Sequence, residues 1–208
     1  MKKTNFLSLI IVLILAGSFP VSCAKSNGTS QKNNNPLSAT ITQTMIDSLN
    51  IAGAHINQGS TPPTVNGIFL MTPDSCVYDN SSGNFAGQLF DSYKFQFSNQ
   101  DNAKWTVAVA QKDVSTGIAN PAPVETYITG SGQNFTIYMY STSTPTGVSV
   151  EKYNVLSGTL TANGIQSFQN VLYLRNKGSD PGNTVAPAGT IRVFVTGGSG
   201  LAGITSSF

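Results

Sequence analysis

Apolar and polar positions alternate with a period of two through most of this chain. Tyr93, Phe95 and Phe97 alternate with Lys94, Gln96 and Ser98, and Trp105, Val107 and Val109 with Thr106, Ala108 and Ala110. Phe135, Ile137 and Met139 alternate with Thr136, Tyr138 and Tyr140; Ile191, Val193 and Val195 alternate with Arg192 and Phe194. A strand points successive side chains to opposite faces, so each run predicts a strand with one side in a core and the other nearer water. Asn163-Gly164 lies between Tyr153–Thr161 and Ile165–Asn176 and predicts a tight hairpin, since both residues tolerate the positive φ of such turns. Gly130-Ser131-Gly132-Gln133 separates Val124–Thr129 from Asn134–Thr142 in the same way. With Gly67–Met71 and Gly147–Val150 the count reaches about eight strands. Short spacings favour antiparallel meander order. The fold class predicted is all-β: an antiparallel eight-stranded barrel or a two-sheet sandwich, with one short N-terminal helix. An eight-stranded barrel is just wide enough for side chains or one small ligand.

The helix is predicted over Thr40–Ile51, where Ile41, Met45, Ile46 and Leu49 recur at helical spacing. Thr40 or Thr42 is a candidate cap, and Gly53 is placed to stop it. Gly197-Gly198-Ser199-Gly200 follows the last alternating run without a Lys or a helix, which reads as a flexible carboxyl end rather than a phosphate cradle.

The amino terminus follows a different pattern. Lys2 and Lys3 precede an apolar run from Phe6 to Ala16, and a small-residue stretch ends at Cys23. Charge, apolar run and small residues in that order make an export signal. The run is too short to span a bilayer core of roughly 30 Å as a helix. Pro20-Val21-Ser22-Cys23 resembles the lipobox of bacterial lipoproteins, in which the cysteine thiol receives a diacylglyceryl group and the chain is cut just before it. The resemblance implies a lipid anchor at Cys23, and Ala24 in place of Asp implies no retention at the inner membrane. A plain secretory signal without lipid is the alternative. Residues 24–38 are rich in Ser, Asn, Gln and Lys and cannot pack a core, so they form a tether reaching roughly 20 Å. The organisation expected is a signal peptide over 1–22, the lipidated Cys and tether over 23–38, and a single β domain over 39–208.

Composition narrows the partners. Of eleven Lys and Arg, Lys2 and Lys3 leave with the signal, and the remainder balance the nine Asp and Glu. A near-neutral domain has no electrostatic footprint for nucleic acid and no polybasic patch for anionic lipid. Once Cys23 carries lipid, Cys76 has no partner for a disulfide and reads as a buried, inert thiol.

Gly53-Ala54-His55-Ile56-Asn57-Gln58-Gly59-Ser60-Thr61-Pro62-Pro63, followed by Val65-Asn66-Gly67-Ile68-Phe69, resembles an opening that recurs in surface lipoproteins of Bacteroidota. In that group an export signal, a lipidated Cys and a polar tether lead through a G-x-x-I-N-x-G-x-x-P-P loop into the first strand. Ser157-Gly158-Thr159-Leu160 with Asn163-Gly164-Ile165, and Ala188-Gly189-Thr190-Ile191-Arg192-Val193-Phe194, resemble it too. The resemblance implies a β-rich surface lipoprotein with a lipocalin-like form among its architectures, placed in the outer membrane or at the cell surface. It carries over no catalytic residue.

Reactive groups are sparse. His55 is the single histidine, which excludes a multi-histidine or Cys/His zinc centre, and no Gly-x-Ser-x-Gly elbow accompanies it. Glu125 and Glu151 are the only glutamates and fall on predicted strands, where each reads as solvated. Asp74, Asp79, Asn80 and Asn84, and again Asp180, Gly182 and Asn183, are oxygen-rich but lack the spacing of a calcium loop; turn chemistry accounts for both. No metal or cofactor is implied. The aromatics are the remaining lead. Tyr138 and Tyr140 share the face opposite Phe135, Ile137 and Met139, so with the latter in the core these tyrosines are presented outward. Together with Trp105 they are the candidate ligand-binding residues, because flat rings on a strand face stack on sugars or anchor partners. The function expected is a non-enzymatic binding module for an oligosaccharide or small apolar ligand. A structural or adhesive protein that meets protein partners is the alternative, and a hydrolase built on Glu125 and Glu151 comes third.

Overall fold

The computed structural model describes residues 41–123 and 125–208, all within one compact unit. The predicted signal, Cys23 and the tether lie outside the described residues.

Helix α1 spans Gln43–Ile51. Thr42 caps it, its hydroxyl accepting the Met45 N–H at 3.2 Å, and Gly53 follows the last turn with a φ of 89°. Among the described residues twelve strands follow: β1 (Ser60–Thr61), β2 (Gly67–Met71), β3 (Asp74–Asp79), β4 (Leu89–Phe90), β5 (Tyr93–Asp101), β6 (Thr106–Asp113), β7 (Glu125–Ser131), β8 (Asn134–Ser143), β9 (Val150–Thr161), β10 (Gly164–Lys177), β11 (Ile191–Thr196) and β12 (Leu201–Thr205). They form one curled sheet in the order β1-β7-β8-β9-β10-β12-β2-β5-β6, with β11, β3 and β4 branching from β10. The all-β class holds, and β7 to β10 run as the predicted meander. Every pairing is antiparallel except β1 with β7.

The branch has a local cause. At Ser167 the backbone takes a φ of 52° and the β10 register shifts between Gln166 and Gln169. A bulge of this kind bends a strand and re-aims its side chains. Before it, Ile165 pairs with Ala202 of β12; after it, Val171 pairs with Val193 of β11. Ile165 and Phe168 consequently face the same side although they are three residues apart.

The carboxyl end corrects the expectation of a flexible tail. The Gly197–Gly200 turn sends the chain back as β12, between β10 and β2, and Ala202 is fully buried. Residues 147–149 likewise precede the strand predicted there: Pro145–Gly147 is a single 3-10 turn, and β9 starts at Val150.

Both faces of the sheet are covered. The concave side is filled by a cluster that includes Phe69, Phe95, Phe97, Phe135 and Phe168, each 2% exposed or less. Rings meet edge-on, Phe95 with Phe168 at 5.2 Å and Phe97 with Phe135 at 6.4 Å. Val65, fully buried and anchored through its N–H to Gln100, belongs to the same cluster. The convex side packs Met45 and Leu49 of α1 against Tyr138, Tyr153, Val155, Val171 and Val193.

Candidate functional site

The segment after α1 straps this helix to the sheet. The amide of Gln169 accepts the His55 N–H at 2.8 Å, and the Thr136 hydroxyl accepts the Asn57 N–H at 2.7 Å. Asn57 donates its amide to the Phe135 carbonyl, and its own carbonyl accepts the Thr129 hydroxyl. Gly59 then lies directly on Gly130, whose N–H donates to its carbonyl at 3.1 Å. The G-x-x-I-N-x-G motif is therefore a clamp of backbone contacts.

That clamp overturns the expectation for Tyr138. It does sit opposite Phe135, Ile137 and Met139, but it is 2% exposed, packed in the cluster formed by α1. The alternation along β8 is real; a helix far away in sequence, Gln43–Ile51, turns the second face into another core. Burial also pushes the Tyr138 hydroxyl up to about 12.

Beyond the helix the same face stays partly open. Glu125 of β7, Tyr140 of β8, Tyr153 of β9 and Tyr173 of β10 stand in direct cross-strand register, one row across four strands. Tyr140 and Tyr173 are half-buried and Tyr153 is 1% exposed beneath them. The Tyr140 and Tyr153 rings lie 5.4 Å apart with a 47° tilt. Tyr127, half-buried on the same face, donates its hydroxyl to Glu125 at 3.2 Å. Glu151 and Arg175 border the row and form a loose pair at 3.9 Å.

These groups share one local field. Burial raises the Tyr153 hydroxyl to about 12; Arg175 opposes that rise, while Tyr140, Glu125 and Tyr127 add to it. The row thus presents flat ring surface bordered by carboxylate, hydroxyl and guanidinium groups. Ring faces take the C–H side of a flat ligand, and the polar border takes its hydroxyls.

Trp105 differs from its predicted place. It precedes β6 in a turn, with a φ of 61°, so it breaks the alternation with Val107 and Val109. Those two face the concave core, whereas half-buried Trp105 packs with the convex cluster that includes Tyr127 and Tyr140. The structure thus brings Trp105 and Tyr140 into one cluster and seals Tyr138 beneath α1.

Apart from the two glutamates of the row, the remaining candidates are structural. Glu125 and Glu151 flank β8, two strand spacings of roughly 5 Å apart. His55 is exposed and engaged through its backbone. Asp79 accepts the N–H groups of Ser81 and Phe85, and Asp180 those of Thr184 and Val185, so both oxygen-rich segments are turns built on a carboxylate. Cys76 is buried and free, its thiol pushed up by burial. Among the described residues, no group of three or more His, Cys, Asp or Glu is arranged to hold a metal ion, and no helix is long and apolar enough to cross a membrane.

Sequence reasoning missed Glu125, Tyr127, Tyr153 and Tyr173 as one set. The signal was present: the Gly130–Gln133 and Asn163-Gly164 turns fix the β7–β8 and β9–β10 registers, and those registers align the row. No family model, curated protein or solved structure matches this chain.

Proposed function

We propose that this chain is a lipid-anchored lipoprotein of the outer membrane or cell surface, of the Bacteroidota type, whose β domain binds an oligosaccharide on the tyrosine row beside α1. The observation that carries the reading is the direct register of Glu125, Tyr140, Tyr153 and Tyr173, with Arg175 and Glu151 alongside. A half-open aromatic row with polar borders suits a sugar better than an apolar molecule. The concave interior is filled by phenylalanines, which also directs a ligand to the outer face.

The finer fold in this reading is an eight-stranded barrel, β7-β8-β9-β10-β12-β2-β5-β6, closed between β6 and β7. Its support is the Ile128 N–H donated to the Trp105 carbonyl at 2.8 Å and the Thr126 hydroxyl donated to the Val107 carbonyl.

A glycan and lipid binding screen on residues 39–208 tests the function. Tyr140→Ala and Tyr173→Ala are expected to lower binding without a matching loss of stability; unchanged binding in both would remove the row from consideration. Mass spectrometry of the mature amino terminus tests the anchor, and an unmodified Cys23 would refute it. The second reading, an adhesive protein that meets protein partners, draws on Val77 and Leu89. They are 52% and 69% exposed on the β3–β4 edge of the sheet.

A further inference from the structure

A second site lies on the opposite face of the sheet. Ile191 and Val193 of β11 pack with the α1 cluster, so Arg192 between them projects the other way. There Arg192, Lys177, Ser81, Ser82 and Thr184 line a cleft of about 420 Å³ between the loop after β3 and the loop after β10.

Each loop is tied by one sealed carboxylate. Asp79, its side chain 0% exposed, accepts from Ser81 and Phe85 N–H and from Arg192 Nε at 3.3 Å. Asp180, 2% exposed, accepts from the N–H of Thr184 and Val185, from the Thr184 hydroxyl, and from Lys177 Nζ at 3.0 Å. The Thr184 and Val185 N–H groups hold the Asp180 carboxyl well below the usual carboxylate range. For Asp79, burial raises the carboxyl, but its hydrogen bonds and Arg192 outweigh that and lower it.

The result is an asymmetry. All four carboxylate oxygens are engaged and covered, while their cations reach the cleft with side chains 20% and 22% exposed. Lys177 gives one proton to Asp180 and one to the Val185 carbonyl, out of three. Arg192 donates through Nε and through Nη2 to Ser81, and its guanidinium, held over the Phe85 ring at 4.5 Å, has five donors. The cleft therefore offers fixed donors in excess of acceptors.

We propose that this cleft binds an oxyanion group, a carboxylate, sulfate or phosphate, between Lys177 and Arg192, with the Ser81 hydroxyl, which accepts from Arg192 and the Gly83 N–H and keeps its own proton, completing its coordination. Charged donors make the stronger hydrogen bonds to such oxygens, and a guanidinium matches them in two-pronged fashion. Loops already braced by Asp79 and Asp180 lose little freedom on binding. A neutral polyol would need as many acceptors as donors.

The test titrates the folded chain, by NMR and calorimetry, with inorganic phosphate, a uronic-acid oligosaccharide, a neutral oligosaccharide of equal length, and vesicles bearing anionic headgroups. Phosphate and at least one anionic carrier are expected to bind in a salt-sensitive manner, with the neutral sugar not displacing them. The carrier that binds tightest identifies the source of the group. Lys177→Gln is expected to weaken phosphate by about tenfold, a change of about 1.4 kcal/mol. Arg192→Lys keeps a cation on Asp79 but loses the planar fork, and serves if the first variant unfolds. Lys104→Gln, in the β5–β6 turn, is expected to leave phosphate binding unchanged. Absence of binding by every anion overturns the proposal. So does equal competition by the neutral sugar, or an equal loss in Lys104→Gln.

Discussion

The Gln169 side chain grips the backbone around His55 from both ends: its Oε1 accepts the His55 N–H at 2.8 Å, and its Nε2 donates to the Gly53 carbonyl at 3.3 Å. Gln169 is 6% exposed and reaches the strap because the Ser167 bulge precedes it. Gln169→Ala leaves a half-buried N–H and a carbonyl without partners, which costs about 1–3 kcal/mol. Urea unfolding would read this as a lower midpoint. A midpoint unchanged from the parent would mean that the strap is held without this amide.

Tyr138 and Tyr140 are two residues apart and are expected to respond differently. Tyr138 is packed with Met45 and Leu49, so Tyr138→Ala opens a cavity under α1 and costs about 3–5 kcal/mol. Any ligand binding falls with it because the platform loosens. Tyr140 is half-buried at the open end of the row, so Tyr140→Ala costs less stability but removes ring surface. Thermal melts beside binding curves separate the two. Equal destabilisation by both variants would contradict this division of roles.

The contrast shows what the sequence carries. Alternation and turn chemistry reveal strands, and β2, β5 and β8 to β11 fall close to their predicted limits because those signals are local. Tyr138 was misplaced because a period of two says that a strand has two faces, not that one of them is wet. Only the docking of α1, through Met45 and Leu49, decides that. Trp105 was misassigned for a different reason: one residue at positive φ resets the phase of the pattern, and nothing in Lys104-Trp105-Thr106 marks it. Strand β12 is hidden by its glycines, since Leu201–Thr205 follows Gly200, carries Gly203 in its middle and pairs with partners far away in sequence. The row from Glu125 to Tyr173 was legible one residue at a time; the register that unites it had to come from pairing.

Gly130 is expected to be intolerant. Its φ is 153°, it receives the Gly59 contact, and a Cβ there would collide with the Asn134 carbonyl oxygen. Backbone does not yield as a side-chain tip does, so Gly130→Ala costs about 3 kcal/mol or more. Gly132 in the same hairpin has a φ of 62° with open space around it, and Gly132→Asn keeps a residue that tolerates this conformation. The first variant is expected to lower the melting temperature sharply and the second little. Similar melting temperatures would show that β8 does not approach Gly130 closely enough to exclude a Cβ.

Asp74 gives the protein a stability that falls as pH rises. It is 3% exposed on β3, directly opposite Thr196 of β11, and among the described residues neither Asp74 Oδ1 nor the Thr196 hydroxyl has a partner. Burial lifts its carboxyl from 3.8 to about 7. Tyr93, raised first by burial and then by Asp113, Asp74 and Asp91, lies within the field of this carboxyl. Below about pH 4 Asp74 is neutral in the folded and unfolded chain alike, so its contribution is intact. Between about pH 4 and 7 only the unfolded chain ionises, and folding stability declines by on the order of 4 kcal/mol. Above about pH 7 the loss is complete. Asp79 and Asp180 act in the opposite sense, since their lowered carboxyls stabilise above the unfolded value and lose that contribution on acidification. The melting temperature should therefore peak near pH 4 to 5 and decline toward pH 8. Asp74→Asn mimics the neutral acid, so it is expected to flatten the decline and to raise stability at pH 8. A decline of the same slope in Asp74→Asn would assign it to another group and refute the role given to this carboxyl.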